Sequence, residues 1–231
     1  MKKIVALLLA LLMAFAFVAC TGAGEDIHKK SEGVMTYAEY TAAALDSKVV
    51  IEAFVQGKQS WWDNKATVYA QDKDGGYFLY NMTCSEQDYA RLVPGAKIRV
   101  TGTKSEWAGE VEIVDATFEV LAGSYIAEAT DVTALLGTDD LIKHQNKFVS
   151  FKGLTIDSIE FKNGEPGDDI YVNVKKDDAT YAFCVEFYLT NADTEVYKTV
   201  SALNAGDVVD IDGFLYWYEG VNTHITSVVK K

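Results

Sequence analysis

Within its 231 residues the chain writes one order of elements twice, and this duplication constrains the fold more than any single motif. In the first copy, alternating or continuous apolar runs predict strands over 48–55, 65–71 and 77–82. Ser85-Glu86-Gln87-Asp88 then opens a short helix that ends near Leu92, and Pro94-Gly95 breaks it. Strands four and five follow over 96–102 and 110–116, joined by a loop over 104–109 that carries Trp107. The second copy repeats the order, with strands over 147–156, 170–174 and 180–189, a helix over 191–203, and a fourth strand over 205–213. Residues 205–213 answer 94–102 at an offset of 111, while strand one aligns at 99, so the second copy holds 12 extra residues. A repeat of about 100 residues is a duplicated domain, because solenoid repeats run to roughly 20–50.

Five strands with one helix between the third and fourth is the plan of the OB-fold, a small Greek-key barrel. The expected fold class is therefore all-β, as two tandem five-stranded OB-fold barrels over 34–123 and 124–231. Ahead of the first strand, Thr36 and Glu39 have capping-box spacing for a helix over 37–45. Asp72-Lys73-Asp74-Gly75-Gly76 reads as a hairpin turn with glycine where positive φ is wanted. Cys84 and Cys184 fall one in each copy, so a disulfide would have to cross between them, and a small buried apolar role suits Cys184 better.

The N-terminus addresses the cell envelope. Met1-Lys2-Lys3 followed by an apolar run over 4–19 has the form of a secretory signal, and 16 apolar residues are short for a membrane span. Phe17-Val18-Ala19-Cys20 resembles the lipobox of bacterial lipoproteins. That resemblance implies removal of 1–19, a diacylglycerol on the Cys20 thiol, and a flexible tether over 20–33. Ordinary cleavage near Ala19 with a free Cys20 is the other reading of the same residues. The first copy also resembles a group of uncharacterised Firmicutes-type lipoproteins with OB domains. Gln59-Ser60-Trp61-Trp62, Asp74-Gly75-Gly76-Tyr77-Phe78 and Trp107-Ala108-Gly109-Glu110-Val111-Glu112-Ile113 carry the likeness. It implies fold and an extracytoplasmic, membrane-anchored location, and lends no activity.

Composition narrows the partners. The first copy has 13 acidic residues against 8 basic, the second 18 against 9, and the net charge is −13. Proteins that grip nucleic acid through phosphates show the opposite balance. OB barrels bind across strands two and three, between the first loop and the loop joining strands four and five. The tryptophans fall in those loops: Trp61 and Trp62 in the first, Trp107 in the four–five loop, and Tyr216-Trp217-Tyr218 in its counterpart. Tyr69 on strand two and Tyr80 on strand three complete the candidate ligand-binding set. Tyr77 and Leu79 are expected on one face of strand three, with Phe78, Tyr80 and Met82 on the other. The expected ligand is an oligosaccharide, a wall polymer or an envelope protein; single-stranded nucleic acid and a passive spacer are the alternatives. The tryptophans could also fold back as lids over the barrel ends.

Signals for other chemistry fail. The histidines His28, His144 and His224 lie far apart without a Cys-x-x-Cys, so no zinc site is expected. Asp207, Asp210 and Asp212 are the best candidates for a cation, solvated charge explains the other acid pairs, and no metal is assigned. No nucleophile elbow and no phosphate-binding glycine loop occurs, so neither a cofactor nor enzymatic activity is expected.

Overall fold

The computed structural model describes residues 26–231. The signal, Cys20 and the start of the tether lie outside them. Among the described residues no helix is long and apolar enough to cross a membrane.

Helix α1 (Tyr37–Ala42) starts at Thr36, whose hydroxyl accepts from the Glu39 amide while the Glu39 carboxylate accepts from the Thr36 amide. The capping box is therefore complete, and it fixes the entry to the first barrel. Strands β1 (Lys48–Lys58), β2 (Lys65–Gln71), β3 (Gly76–Thr83), β4 (Ala96–Trp107) and β5 (Glu110–Ser124) close in the order β1-β2-β3-β5-β4, with β1 pairing β4. Helix α2 (Glu86–Tyr89), capped by Ser85, lies between β3 and β4. Pairing of β3 with β5 is parallel, Phe78 opposite Glu112 and Leu79 opposite Ile113. The core holds Val49, Ile51, Tyr77, Leu79, Ile98 and Ile113 among others.

After β6 (Thr130–Asp131), strands β7 (Phe148–Phe161), β8 (Ile170–Lys176), β9 (Ala179–Val185), β10 (Val208–Phe214) and β11 (His224–Lys230) repeat those pairings. Here β7 pairs β10, and β9 meets β11 in parallel at Cys184 and His224. Helix α3 (Glu195–Ser201) occupies the place of α2. A separate core of Val149, Phe151, Val172, Phe183, Val209 and Ile211 fills this second sheet. Cys84 and Cys184 are both buried and free.

Four local expectations are corrected. The segment over 104–109 is not a loop: β4 runs to Trp107, and only Ala108 and Gly109 turn into β5. Gly75 and Gly76 are not at positive φ. They are needed for close approach, since a Cβ on Gly75 would stand 2.1 Å from the Tyr37 ring and one on Gly76 2.2 Å from the Asn146 backbone. On β3 an extra residue opposite Thr67 makes a bulge at Asn81 (φ 48°), so Met82 turns into the core with Tyr77 and Leu79. Tyr80 and Asn81 are left together on the outer face. Finally, residues 26–33 of the expected tether are tied to the first barrel: Lys30 reaches the Glu52 carbonyl and the Asp72 carboxylate, each at 2.5 Å, and His28 packs edge-on against Phe54 and Tyr125.

The two barrels share a seam. Tyr69 stacks on Phe214 with ring centroids 4.4 Å apart, and Phe78 and Tyr216 join them. Polar contacts flank this apolar centre. The Phe148 amide donates to Gln71 Oε1 (2.7 Å), Asn146 Nδ2 to the Val111 carbonyl (2.9 Å), and the Ser60 amide to the Tyr188 carbonyl (2.7 Å). At the turn after β4, Gly109 (φ +90°) lets Trp217 lie where a Cβ would meet its ring at 2.8 Å. The outward aromatic surface of strands two and three is therefore partly consumed in joining the copies.

Candidate aromatic cleft between the barrels

What the seam leaves open is a cleft of about 710 Å³. The first barrel contributes Gln59, Ser60 and Trp62 from the β1–β2 loop, Thr67 from β2, Phe78, Tyr80 and Asn81 from β3, and Trp107 and Glu112 from β4 and β5. Glu186 and Tyr188, just after β9, Tyr216 after β10, and His224 on β11 close it from the second. The bulge at Asn81 is what turns both Tyr80 and Asn81 toward this space, and the hairpin after β4 brings Trp107 to its edge.

The eight aromatic residues singled out from the sequence divide. Trp62 and Trp107 are 57% and 55% exposed and face the cleft, as do Tyr80 (45% exposed) and the half-buried Tyr216. Trp61 does not line the cleft: its indole N–H donates to the Cys84 carbonyl at 2.8 Å. Trp217 packs into the second core, and its amide donates to Glu110 Oε2 at 2.8 Å. Tyr218 lies exposed beside Trp107 (5.1 Å) but does not line the cleft. Tyr69 is corrected from ligand-facing to interior. It is 1% exposed beneath the floor, with its hydroxyl 2.5 Å from His224 Nδ1.

Polar residues of the cleft escaped the sequence reading. Glu110 and Glu112 stand at i, i+2 on β5, on the opposite face from core Ile113, so both point toward the second barrel. That alternation of acids within an apolar strand was the available signal. Burial pushes the Glu110 carboxyl up to about 8 and the Glu186 carboxyl to about 7, and it also raises Glu112. Burial drives His224 down to about 3, so its imidazole is neutral and stacks on Tyr216 at 4.2 Å. Among the described residues no lysine or arginine lines the cleft. Lys65 is the nearby cation, with Nζ 5.5 Å from the Trp62 ring centroid.

Elsewhere, the acids of the fourth strand of the second barrel are paired with lysines: Asp207 with Lys230 (2.8 Å), Asp210 with Lys231 (2.6 Å) and Asp212 with Lys152 (3.4 Å). Among the described residues no group of three or more His, Cys, Asp or Glu is placed to hold a metal ion.

No protein-family model matches the sequence, and no curated protein matches it. Solved structures with some similarity include a murine DNA-binding protein bound with double-stranded DNA, at 9% identity, covering 79% of this chain and 96% of that one, with a TM-score of 0.38. A p204 HINb domain is 12% identical over 78% of this chain and 95% of that one, at 0.33. A replication protein A heterotrimer bound to single-stranded DNA is 12% identical over 80% of this chain and 49% of that one, also at 0.33. Likeness at this level transfers no ligand to this chain.

Proposed function

We propose that this chain is a lipid-anchored, extracytoplasmic binding module, without catalytic activity, whose inter-barrel cleft receives an oligosaccharide. The observation that carries the reading is the lining: exposed Trp62, Trp107, Tyr80 and Tyr188, with acceptor groups on Glu112, Glu186, Gln59 and Asn81. Aromatic faces take the apolar C–H faces of sugar rings, and carboxylate and amide oxygens accept from sugar hydroxyls. A volume of about 710 Å³ suits a short oligomer rather than a single ring. Polyanions are disfavoured here, because buried carboxyl groups line the walls and no basic side chain among the described residues offsets them. The lipid anchor rests on Phe17-Val18-Ala19-Cys20 alone.

The test is calorimetric titration of the mature chain with a panel of neutral and amino oligosaccharides, and with an oligothymidylate at low salt. Saturable saccharide binding that Trp62→Ala and Trp107→Ala abolish, with no cleavage of the sugar, supports the reading. Saturable binding of the oligothymidylate with no saccharide signal overturns it in favour of single-stranded nucleic acid.

A further inference from the structure

The charge of the cleft is unbalanced in a way that a neutral sugar does not correct. Glu112 is 7% exposed and lines the cleft, yet among the described residues its carboxylate makes no hydrogen bond and no ion pair. Other buried acids of this barrel are partnered: Glu52 is held by Lys97 (3.2 Å) and Arg99 (2.9 Å), and Asp72 by Lys30. Glu186 faces the same space from the second barrel, accepting from the Leu189 amide at 2.7 Å on Oε2. Behind Glu112 on the same strand sits Glu110, wholly buried, and the neutral imidazole of His224 supplies no counter-charge. Lys65, beside the Trp62 ring, pairs weakly with Asp63 at 4.0 Å outside the cleft. A buried carboxylate without a partner is costly, and in this chain the missing partner has a prepared place.

We propose that the ligand of this cleft carries a free, protonated amine, which Glu112 receives among the aromatic faces. An ammonium group brings three donors and a positive charge, which satisfies an acceptor-only carboxylate. The flanking rings of Tyr80, Tyr216 and Trp107 favour the same charge, because a cation within about 6 Å of a ring centroid is attracted to its face. A hard divalent cation fits less well, since it asks for about six or more oxygen ligands and the surrounding groups are largely rings. The inference rests on the oligosaccharide reading and deepens it: the sugar is an amino sugar whose nitrogen is not acylated.

A matched pair of ligands tests it. The β-1,4-linked glucosamine hexamer and its fully N-acetylated counterpart offer the same stacking faces and differ in the charge on nitrogen. The glucosamine hexamer is expected to bind at least about tenfold more tightly, and Glu112→Gln is expected to erase that preference, bringing the two affinities together. Glu106→Gln, an exposed acid outside the cleft, is expected to leave the preference intact, with far-ultraviolet dichroism verifying the fold of both variants. Equal affinity for the two hexamers overturns the amine inference and leaves the oligosaccharide reading standing. A preference that survives Glu112→Gln also overturns it, assigning the effect to net charge. Binding of neither hexamer overturns both.

Discussion

Replacing Glu110 by glutamine should make this protein more stable as the pH rises, and the size of the gain can be worked from the seam. Glu110 is wholly buried at the junction of the two barrels. Its Oε2 accepts from the Trp217 amide (2.8 Å) and Gln145 Nε2 (3.1 Å), while Oε1 has no partner and neither does Asn146 Oδ1. Burial is the largest cause of its raised pKa, and the like charge of Glu112 adds to it, against the hydrogen bonds from Trp217 and Gln145. The folded value is about 8, against an ordinary 4.5. The sign follows: a carboxyl that is harder to ionise in the fold stabilises fully below 4.5, and the contribution drains away as the pH climbs through 8. At 1.36 kcal/mol per pH unit the ceiling is about 5 kcal/mol. The glutamine of Glu110→Gln keeps both acceptor contacts on its oxygen, adds a donor beside Asn146 and cannot ionise. Urea unfolding of both proteins from pH 5 to 9 should therefore show the variant pulling ahead by at least about 2 kcal/mol at the alkaline end. Glu186 titrates in the same window and the buried His224 below it, but they are common to both proteins and cancel in the difference. A difference that stays flat with pH would refute the reasoning.

Tyr69→Phe deletes the hydroxyl 2.5 Å from His224 Nδ1 and leaves a buried nitrogen unpaired; chemical denaturation should show a loss of about 1–2 kcal/mol. Gly76→Ala drives a Cβ to 2.2 Å from the Asn146 backbone, and since backbone on both sides must move, a loss above about 2 kcal/mol is expected in the same assay. Cys20→Ser in the producing cell should move the protein from the membrane fraction to the soluble fraction or medium; retention in the membrane would refute the lipid anchor.

What the sequence discloses, and what it hides, follows from the range of the interactions involved. Strand β2 begins and ends where alternation places it, at Lys65 and Gln71, and Thr36 with Glu39 forms the cap that their spacing implies. These signals are local. The pairings among β1–β5 have counterparts among β7–β11. Residues at the seam elude a local reading because their partners lie far along the chain: Tyr69 meets Phe214 and His224, and Gly76 meets Asn146. From a single copy, Tyr69 looks like an outward aromatic on a ligand face, and only the second copy buries it. Trp61 and Trp62 are adjacent and fare differently, one held to the Cys84 carbonyl and one exposed, as neighbours on opposite sides of an extended segment must be. Glu112 and Glu186 gain meaning only when the barrels bring them to one space, and nothing in either local pattern pairs them.

The claim that the cleft between the barrels is the recognition surface meets its most direct test in fluorine NMR of the mature chain labelled with 5-fluorotryptophan. Its four tryptophans sample two environments, with Trp62 and Trp107 in the cleft and Trp61 and Trp217 turned away from it. On titration with the glucosamine hexamer the first two resonances should shift and saturate together while the other two stay in place. Saturable shifts confined to Trp61 and Trp217, or a ligand that binds without moving Trp62 or Trp107, would contradict the account.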